Sequence, residues 1–333
     1  VTLSILTCSP YFVDLALNEL SRCQPQVTIS ERLAPGYTLL QAPFSFDKLT
    51  HPWRHRSPIY LHHLFPVHTV LSLGTNFNNL TALKNAIEKI APSDADLQIR
   101  SAVESGWPIA EIQQFLSGNR RTTSIQKPRG RVLSVLITPE QQAYRAYLGV
   151  SWATQNLSPW AGGQIPITES VPNRAGYKLL ESLDVFSIHL RNGDHALDLG
   201  AAPGAWTTLL RRRGLRVTAV APTALYPWLT FDEGVNYQPM LAEEFLERCQ
   251  TTFDLIVNDM KLDVQDSARL MVDYARHLRS GGIAIMTLKL RNRNFARVMD
   301  HSFRILRKVY KIIQVRQLVS NRHEVTLFLR RKE

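Results

Sequence analysis

Cysteine is scarce: Cys8, Cys23 and Cys249 are the only three in 333 residues. They stand far apart and are odd in number. They form neither a zinc-binding spacing nor a disulfide framework, so a reducing cytoplasm is the expected setting and no metal is expected. No apolar run is long enough to span a bilayer; Val1 to Leu6 has no basic flank and is far too short, so neither export nor membrane anchoring is expected. Acidic residues are in deficit, 28 Asp and Glu against 39 Lys and Arg, for a net charge of +11. That balance excludes an acidic solvating chain and points to a polyanionic partner, with most of the excess beyond residue 170. Internal repeats and low-complexity tracts are also missing. At 44% hydrophobic and 20% charged, the chain reads as ordinary globular protein with room for two or three cores.

What is present concentrates in one stretch, His195-Ala-Leu-Asp-Leu-Gly-Ala-Ala-Pro-Gly-Ala-Trp206. It reads as a buried strand, a tight turn at Gly200 and Gly204, and a helix whose first N–H groups face the turn. So bare a backbone lets a nucleoside-like ligand come close. Ala-Ala-Pro separates Gly200 from Gly204, which breaks the G-x-G-x-x-G pattern and disfavours a pyrophosphate. Asp198, at the strand end, would aim a carboxylate at a cationic or hydroxyl-bearing ligand, which suits S-adenosylmethionine. The expected cofactor contacts are Asp198, Gly200, Ala201, Pro203, Gly204, Trp206, Ala221 at the end of the next strand, and Asp259. For the two glycines alone, a structural turn between strand and helix is the plainer reading.

Along the chain, residues 1–55 form a small α+β unit: a strand from Thr2, a helix Tyr11 to Arg22, and two strands divided by Pro35-Gly36. Residues 56–155 form a second unit of alternating strands and helices. Between its last helix and its final strands lies a loop dense in cations, Arg120, Arg121, Lys127, Arg129 and Arg131, which is either an RNA-binding surface or a solvated loop. Residues 156–172, rich in Pro and Gly, read as a linker. From 173 to 333 the pattern becomes alternating β and α. A helix covers 175–190, and strands cover 196–199, 216–221, 253–258 and 283–288. A helix over 264–278 closes at Gly281-Gly282, and two last strands cover 309–317 and 324–329. Near-continuous apolar strands separated by helices predict an α/β, Rossmann-like domain with a mostly parallel sheet and helices on both faces. Ligands of such a sheet bind beyond the carboxyl ends of its strands.

That rule makes neighbours of Asp198, Asp259 and Lys289. Lys178 precedes the cofactor strand, and Glu324 joins the same edge if the last strand runs antiparallel. The segments Arg174-Ala-Gly-Tyr-Lys178, Val257-Asn-Asp259, Thr287-Leu-Lys289 and Arg322-His-Glu324 resemble the FtsJ/RrmJ class of S-adenosylmethionine-dependent RNA ribose 2′-O-methyltransferases, whose signature is a Lys-Asp-Lys-Glu tetrad in that order. Within the class the chain looks most like the type that methylates a cytidine ribose of 23S ribosomal RNA. The resemblance implies a ferredoxin-like part and a THUMP-like RNA-binding unit ahead of the methyltransferase domain. It also implies catalysis by Lys178, Asp259, Lys289 and Glu324.

A ribose hydroxyl is a poor nucleophile at neutral pH and must be aligned and deprotonated. Lys289 is the expected base, made less basic by burial and the nearby Lys178 ammonium, with the two carboxylates orienting the pair. Two acids common in S-adenosylmethionine enzymes are missing. Ala221-Pro222 ends the second strand of the domain, and Gln238-Pro-Met-Leu241 stands near the expected adenine position. Each absent carboxylate removes roughly 1–3 kcal/mol of binding. The alternatives are a non-catalytic RNA-binding protein that kept the fold, and the same chemistry on another RNA such as transfer RNA.

Overall fold

The computed structural model describes residues 1–74, 80–102, 109–117, 127–128, 130–140, 143–166, 169–290 and 295–333. The chain divides into two units, Val1–Thr168 and Glu169–Glu333. Among the described residues no helix is long and apolar enough to cross a membrane.

The first unit holds two sheets. Its elements begin with β1 (Thr2–Cys8), α1 (Val13–Cys23), β2 (Thr28–Ala34), β3 (Tyr37–Ala42), α2 (Phe46–Thr50) and β4 (Leu61–Val67). These strands make a four-stranded sheet in the order β2-β3-β1-β4. A boundary at residue 55 would cut off β4, which pairs antiparallel with β1. The second sheet follows from β5 (Thr69–Gly74), α3 (Leu80–Ile90), β6 (Asp96–Ser101), α4 (Ile109–Ser117), β7 (Arg131–Glu140) and β8 (Ala143–Trp152), in the order β5-β8-β7-β6.

Residues 156–163 are not a free linker, despite their Pro and Gly content. Asn156 and Trp160 are buried. The Asn156 carbonyl accepts the Leu64 N–H at 3.1 Å. The carbonyls of Pro159 and Ala161 accept from the side chains of Gln98 and Arg100, at 2.7 and 3.1 Å. Buried backbone must be paired, and here it is paired against the sheets of this unit.

The second unit begins with α5 (Arg174–Val185), β9 (His195–Leu199), α6 (Ala205–Arg212), β10 (Arg216–Val220), α7 (Pro227–Thr230), β11 (Val235–Gln238) and α8 (Ala242–Arg248). It continues with β12 (Phe253–Asn258), α9 (Val264–Tyr274), β13 (Leu278–Lys289), α10 (Phe295–Leu306), β14 (Tyr310–Arg316) and β15 (Glu324–Arg331). The seven strands form one sheet, β11-β10-β9-β12-β13-β15-β14. The first five run parallel, while β15 is antiparallel to both β13 and β14. Leu197, Leu199, Val217, Ala219, Ile256, Val257, Ile285 and Met286 are buried almost completely, as a sheet covered on both faces requires. The chain leaves β9 towards β10 and β11, then returns to β12 on the other side of β9. The turns after β9 and β12 therefore diverge and leave a crevice at the carboxyl edge.

Two boundaries differ from the sequence reading. Helix α5 stops at Val185 rather than 190, because Ser187 takes a left-handed backbone (φ 52°) and the Ile188 N–H returns to the Leu183 carbonyl at 2.8 Å. Gly281-Gly282 do not close a helix; they lie inside β13. The pairing of β13 with β12 shifts register between Phe253–Leu278 and Leu255–Ile283, so the glycines sit in a bulge. The short elements α7, β11 and α8 carry too little periodicity to be legible in sequence.

Candidate active site

The turn after β9 is tighter than an open cradle. The Gly200 and Ala201 N–H groups both donate to the Val220 carbonyl, at 2.9 and 3.1 Å, which ties the loop to β10. Gly200 (φ 76°) needs its missing side chain, since a Cβ there would lie 2.4 Å from Met260 Cγ. The Pro203 carbonyl accepts the Tyr226 N–H at 2.7 Å. The turn thus packs between the loops that follow β10 and β12.

Three expected cofactor residues have partners within the fold. Trp206 is buried in the core and its indole Nε1 donates to the Ala175 carbonyl at 2.7 Å, docking α6 on α5. Ala221 is buried, and its carbonyl accepts from the Tyr237 hydroxyl at 3.3 Å. Asp198 faces inward: its Oδ2 accepts the Thr207 hydroxyl at 2.7 Å, and the Thr207 backbone N–H also bonds the carboxylate. A carboxylate held there satisfies the start of α6 and suits its positive dipole end. Sequence reasoning missed Thr207, although a Thr in the first turn of the helix was the available signal.

Burial pushes the Asp198 carboxyl from its ordinary 3.8 up to about 7, against the pull of Thr207, and the Asp259 charge adds to the rise. The folded chain therefore keeps a proton that the unfolded chain releases. The resulting stability is fully present below about pH 4 and is lost as pH rises through about 7. Thermal melts of the wild type should fall between about pH 4 and 7 and level off above that, and Asp198→Asn should flatten that fall. Parallel melting curves for the two proteins would mean that another group titrates.

Across the turn lies a closed ring of charges. Lys178 Nζ sits 3.2 Å from Asp259 Oδ2 and 2.6 Å from Glu324 Oε1. Lys289 Nζ contacts Asp259 Oδ1 and lies 2.5 Å from Glu324 Oε2. Each ammonium bridges both carboxylates, and all four side chains are at most 16% exposed. Thr287 Oγ1 adds a hydrogen bond to Asp259 Oδ1 at 2.7 Å. Thr287 was missed, though it stands two residues before Lys289 on one strand and so shares its face.

The elements explain the meeting. Lys289 ends β13, Glu324 begins β15, and antiparallel pairing sets them directly opposite. Asp259 follows β12, where Asn258 Oδ1 accepts the Met260 N–H at 3.0 Å and turns the chain. Lys178 comes from α5, whose first turn is capped by the Asn173 side chain on the Ala175 N–H at 2.8 Å. Burial works against the Lys178 ammonium, but Asp259 and Glu324 outweigh it, and its pKa is raised above the ordinary lysine value.

Of the basic loop, Arg120, Arg121 and Arg129 lie outside the described residues. Lys127 and Arg131 are exposed, and the Arg131 guanidinium lies 5.5 Å over the Trp152 ring.

A mostly parallel sheet with a glycine turn at its switch point and a lysine–carboxylate ring beside it defines a Rossmann-like methyltransferase fold. Residues 171–314, most of the second unit, match the FtsJ-like methyltransferase family. The chain is 36% identical over 177 residues to the ribosomal RNA large subunit methyltransferase M of Halorhodospira halophila, covering 52% of this chain and 51% of that protein. It is 35% identical over 196 residues to the protein of the same name from Methylococcus capsulatus, covering 55% and 54%. A third relative of that name, from Xylella fastidiosa, is 26% identical over 314 residues, covering 88% and 87%. The chain thus spans about half the length of the first two relatives it matches.

Residues that fit S-adenosylmethionine are present on one side of the crevice. Asp259, next to the glycine turn, brings a negative charge suited to a cationic donor, though its oxygens are also held by Lys178, Lys289 and Thr287. On the β10 and β11 side, Ala221 and Met240 stand where acids are common, and Tyr237 bonds the Ala221 and Thr223 carbonyls.

Proposed function

We propose that this chain transfers a methyl group from S-adenosylmethionine to a ribose 2′-hydroxyl of RNA, with a cytidine of 23S ribosomal RNA as the preferred target, in the cytoplasm. The observation that carries the proposal is the closed ring of Lys178, Asp259, Lys289 and Glu324 at the carboxyl edge, next to the glycine turn. A protein that only binds RNA has no use for two buried ammoniums bridging two carboxylates.

When bound, S-adenosylmethionine supplies a methyl group on a positively charged sulfur. Lys289, once it has released its own proton to solvent and stands as a neutral amine, takes the proton of the 2′-hydroxyl while the hydroxyl oxygen takes the methyl group and the sulfur leaves as the neutral thioether. Lys178 stays an ammonium, held so by Asp259 and Glu324. The two carboxylates hold the lysines at fixed positions, so the hydroxyl meets an oriented base rather than a mobile one. Cofactor contacts fall to Gly200, Gly204 and Asp259, with the Ala201, Pro203 and Ala221 backbone around them. The two sheets of the first unit are read as a ferredoxin-like part and a THUMP-like RNA-binding unit. Exposed cations there, Lys127 and Arg131 among them, would meet phosphates. The shared name of the three relatives supports ribosomal RNA over transfer RNA.

A second reading, RNA binding without catalysis, is favoured by Ala221 and Met240 in place of acids. Calorimetric titration with S-adenosylmethionine, followed by labelled methyl transfer to unmodified 23S RNA, separates the two. Micromolar binding and a labelled cytidine are the expected result. No binding to the folded protein, with or without RNA, would leave the non-catalytic reading.

A further inference from the structure

The charge ring has a support outside itself. Glu181 stands three residues after Lys178 on α5, on a neighbouring turn of the same face. Its side chain is buried, and its two carboxylate oxygens accept the backbone N–H groups of Val319 and Ser320, each at 2.8 Å. Those residues belong to the connection from β14 to β15, and β15 opens with Glu324. Arg174, the first residue of α5, reaches the Ser320 carbonyl at 3.3 Å. The connection is also braced from within: Gln317 Nε2 donates to the Leu318 carbonyl at 2.9 Å, and Asn321 Nδ2 to Thr326 Oγ1 at 3.0 Å.

Burying a carboxylate is costly unless its lone pairs are met, and burial raises the Glu181 pKa even though the Ser320 and Val319 amides and Arg316 pull against it. Glu181 makes no hydrogen bond to the ring, so the cost is not repaid there. Lys289 and Glu324 need no outside help, because the β13–β15 ladder sets them opposite each other. Lys178 has no ladder and depends on where α5 is held. We propose that Glu181 is a positioning residue: its grip on the Val319 and Ser320 amides fixes α5 to the β14–β15 connection and so sets Lys178 between Asp259 and Glu324. The consequence for rate rests on the methyl-transfer reading; the consequence for Lys178 does not.

Glu181→Gln keeps the volume but turns an amide NH2 towards backbone N–H donors, which opens the grip. Reductive methylation of the folded protein, read by mass spectrometry, reports the reactivity of each lysine amine without any activity assay. In E181Q, Lys178 should label about tenfold faster than in the wild type, the response to losing a hydrogen-bonded restraint, while Lys289 keeps its rate. Unchanged labelling of Lys178 would overturn the proposal. Equal acceleration of both lysines would also overturn it, since that reports general loosening. Should E181Q not fold, Glu181→Asp, too short to reach both amides, gives the same readout. In the activity arm, kcat should fall at least tenfold, as misplacement of an active-site group costs, with S-adenosylmethionine affinity unchanged. A wild type that methylates no RNA would defeat the functional reading and leave the labelling result to decide on Glu181.

Discussion

Lys289→Ala should abolish methyl transfer while leaving S-adenosylmethionine and RNA binding close to wild type. The lysine amine is the expected proton acceptor, and positioned general bases contribute about 10² to 10⁴ in rate. The loss should therefore be on the order of a thousandfold in a single-turnover assay. The substitution also leaves Asp259 and Glu324 sharing only Lys178, so its thermal melt should be recorded alongside. Lys289→Arg separates the two roles the amine could play. A guanidinium keeps the positive charge between the carboxylates but does not give up a proton in proteins. Arginine should thus be nearly as inactive as alanine. Substantial activity in K289R would show that position 289 acts by charge alone and would move the base elsewhere in the ring.

Gly204→Val should be the most disruptive change in the cofactor turn, by a route the sequence did not suggest. A glycine turn read from sequence alone suggests that a new side chain would fill the ligand space. In the structure, a Cβ on Gly204 would lie 2.2 Å from Leu229 Cδ1 and 3.4 Å from Tyr226 Cδ2, at a φ of 117° that a β-branched residue avoids. Backbone strain and overpacking of this kind cost roughly 1–3 kcal/mol each. The melting temperature should drop by several degrees, and cofactor affinity should fall at least about tenfold as the turn lifts away from Tyr226 and Leu229. Lost binding with an unchanged melt would restore direct obstruction of the ligand. Normal binding and normal melting together would remove this turn as the cofactor site.

How far the site was legible follows from the reach of each signal. The strand at 195–199, the turn at Gly200 and Gly204 and the helix after them are local, and local pattern placed them. Lys178, Asp259, Lys289 and Glu324 were legible as residue types in a fixed order. The inward partner of Asp198 was not legible, because a carboxylate at a strand end reads the same whether it faces a ligand or caps the next helix. The Ala175 partner of Trp206 was hidden for a similar reason: an aromatic beside a glycine turn gives no sign of which way its ring lies. The Pro- and Gly-rich stretch after Asn156 read as a linker because composition does not say whether buried partners await its carbonyls.

The sequence by itself determined the alternation of strands and helices in the second half, the residue types at the strand ends and the positive charge that a polyanionic substrate would meet. These depend on periodicity and composition, which act over a few residues. Only the tertiary structure decided that β15 runs antiparallel against β13, which sets Glu324 opposite Lys289. It alone decided that α5 carries Lys178 into the same ring, with Glu181 gripping the connection that leads to Glu324. Those contacts join residues up to 146 positions apart, from Lys178 to Glu324. Ladder register and a buried carboxylate on two backbone amides fix such distances, and neither leaves a mark on the local pattern of the chain.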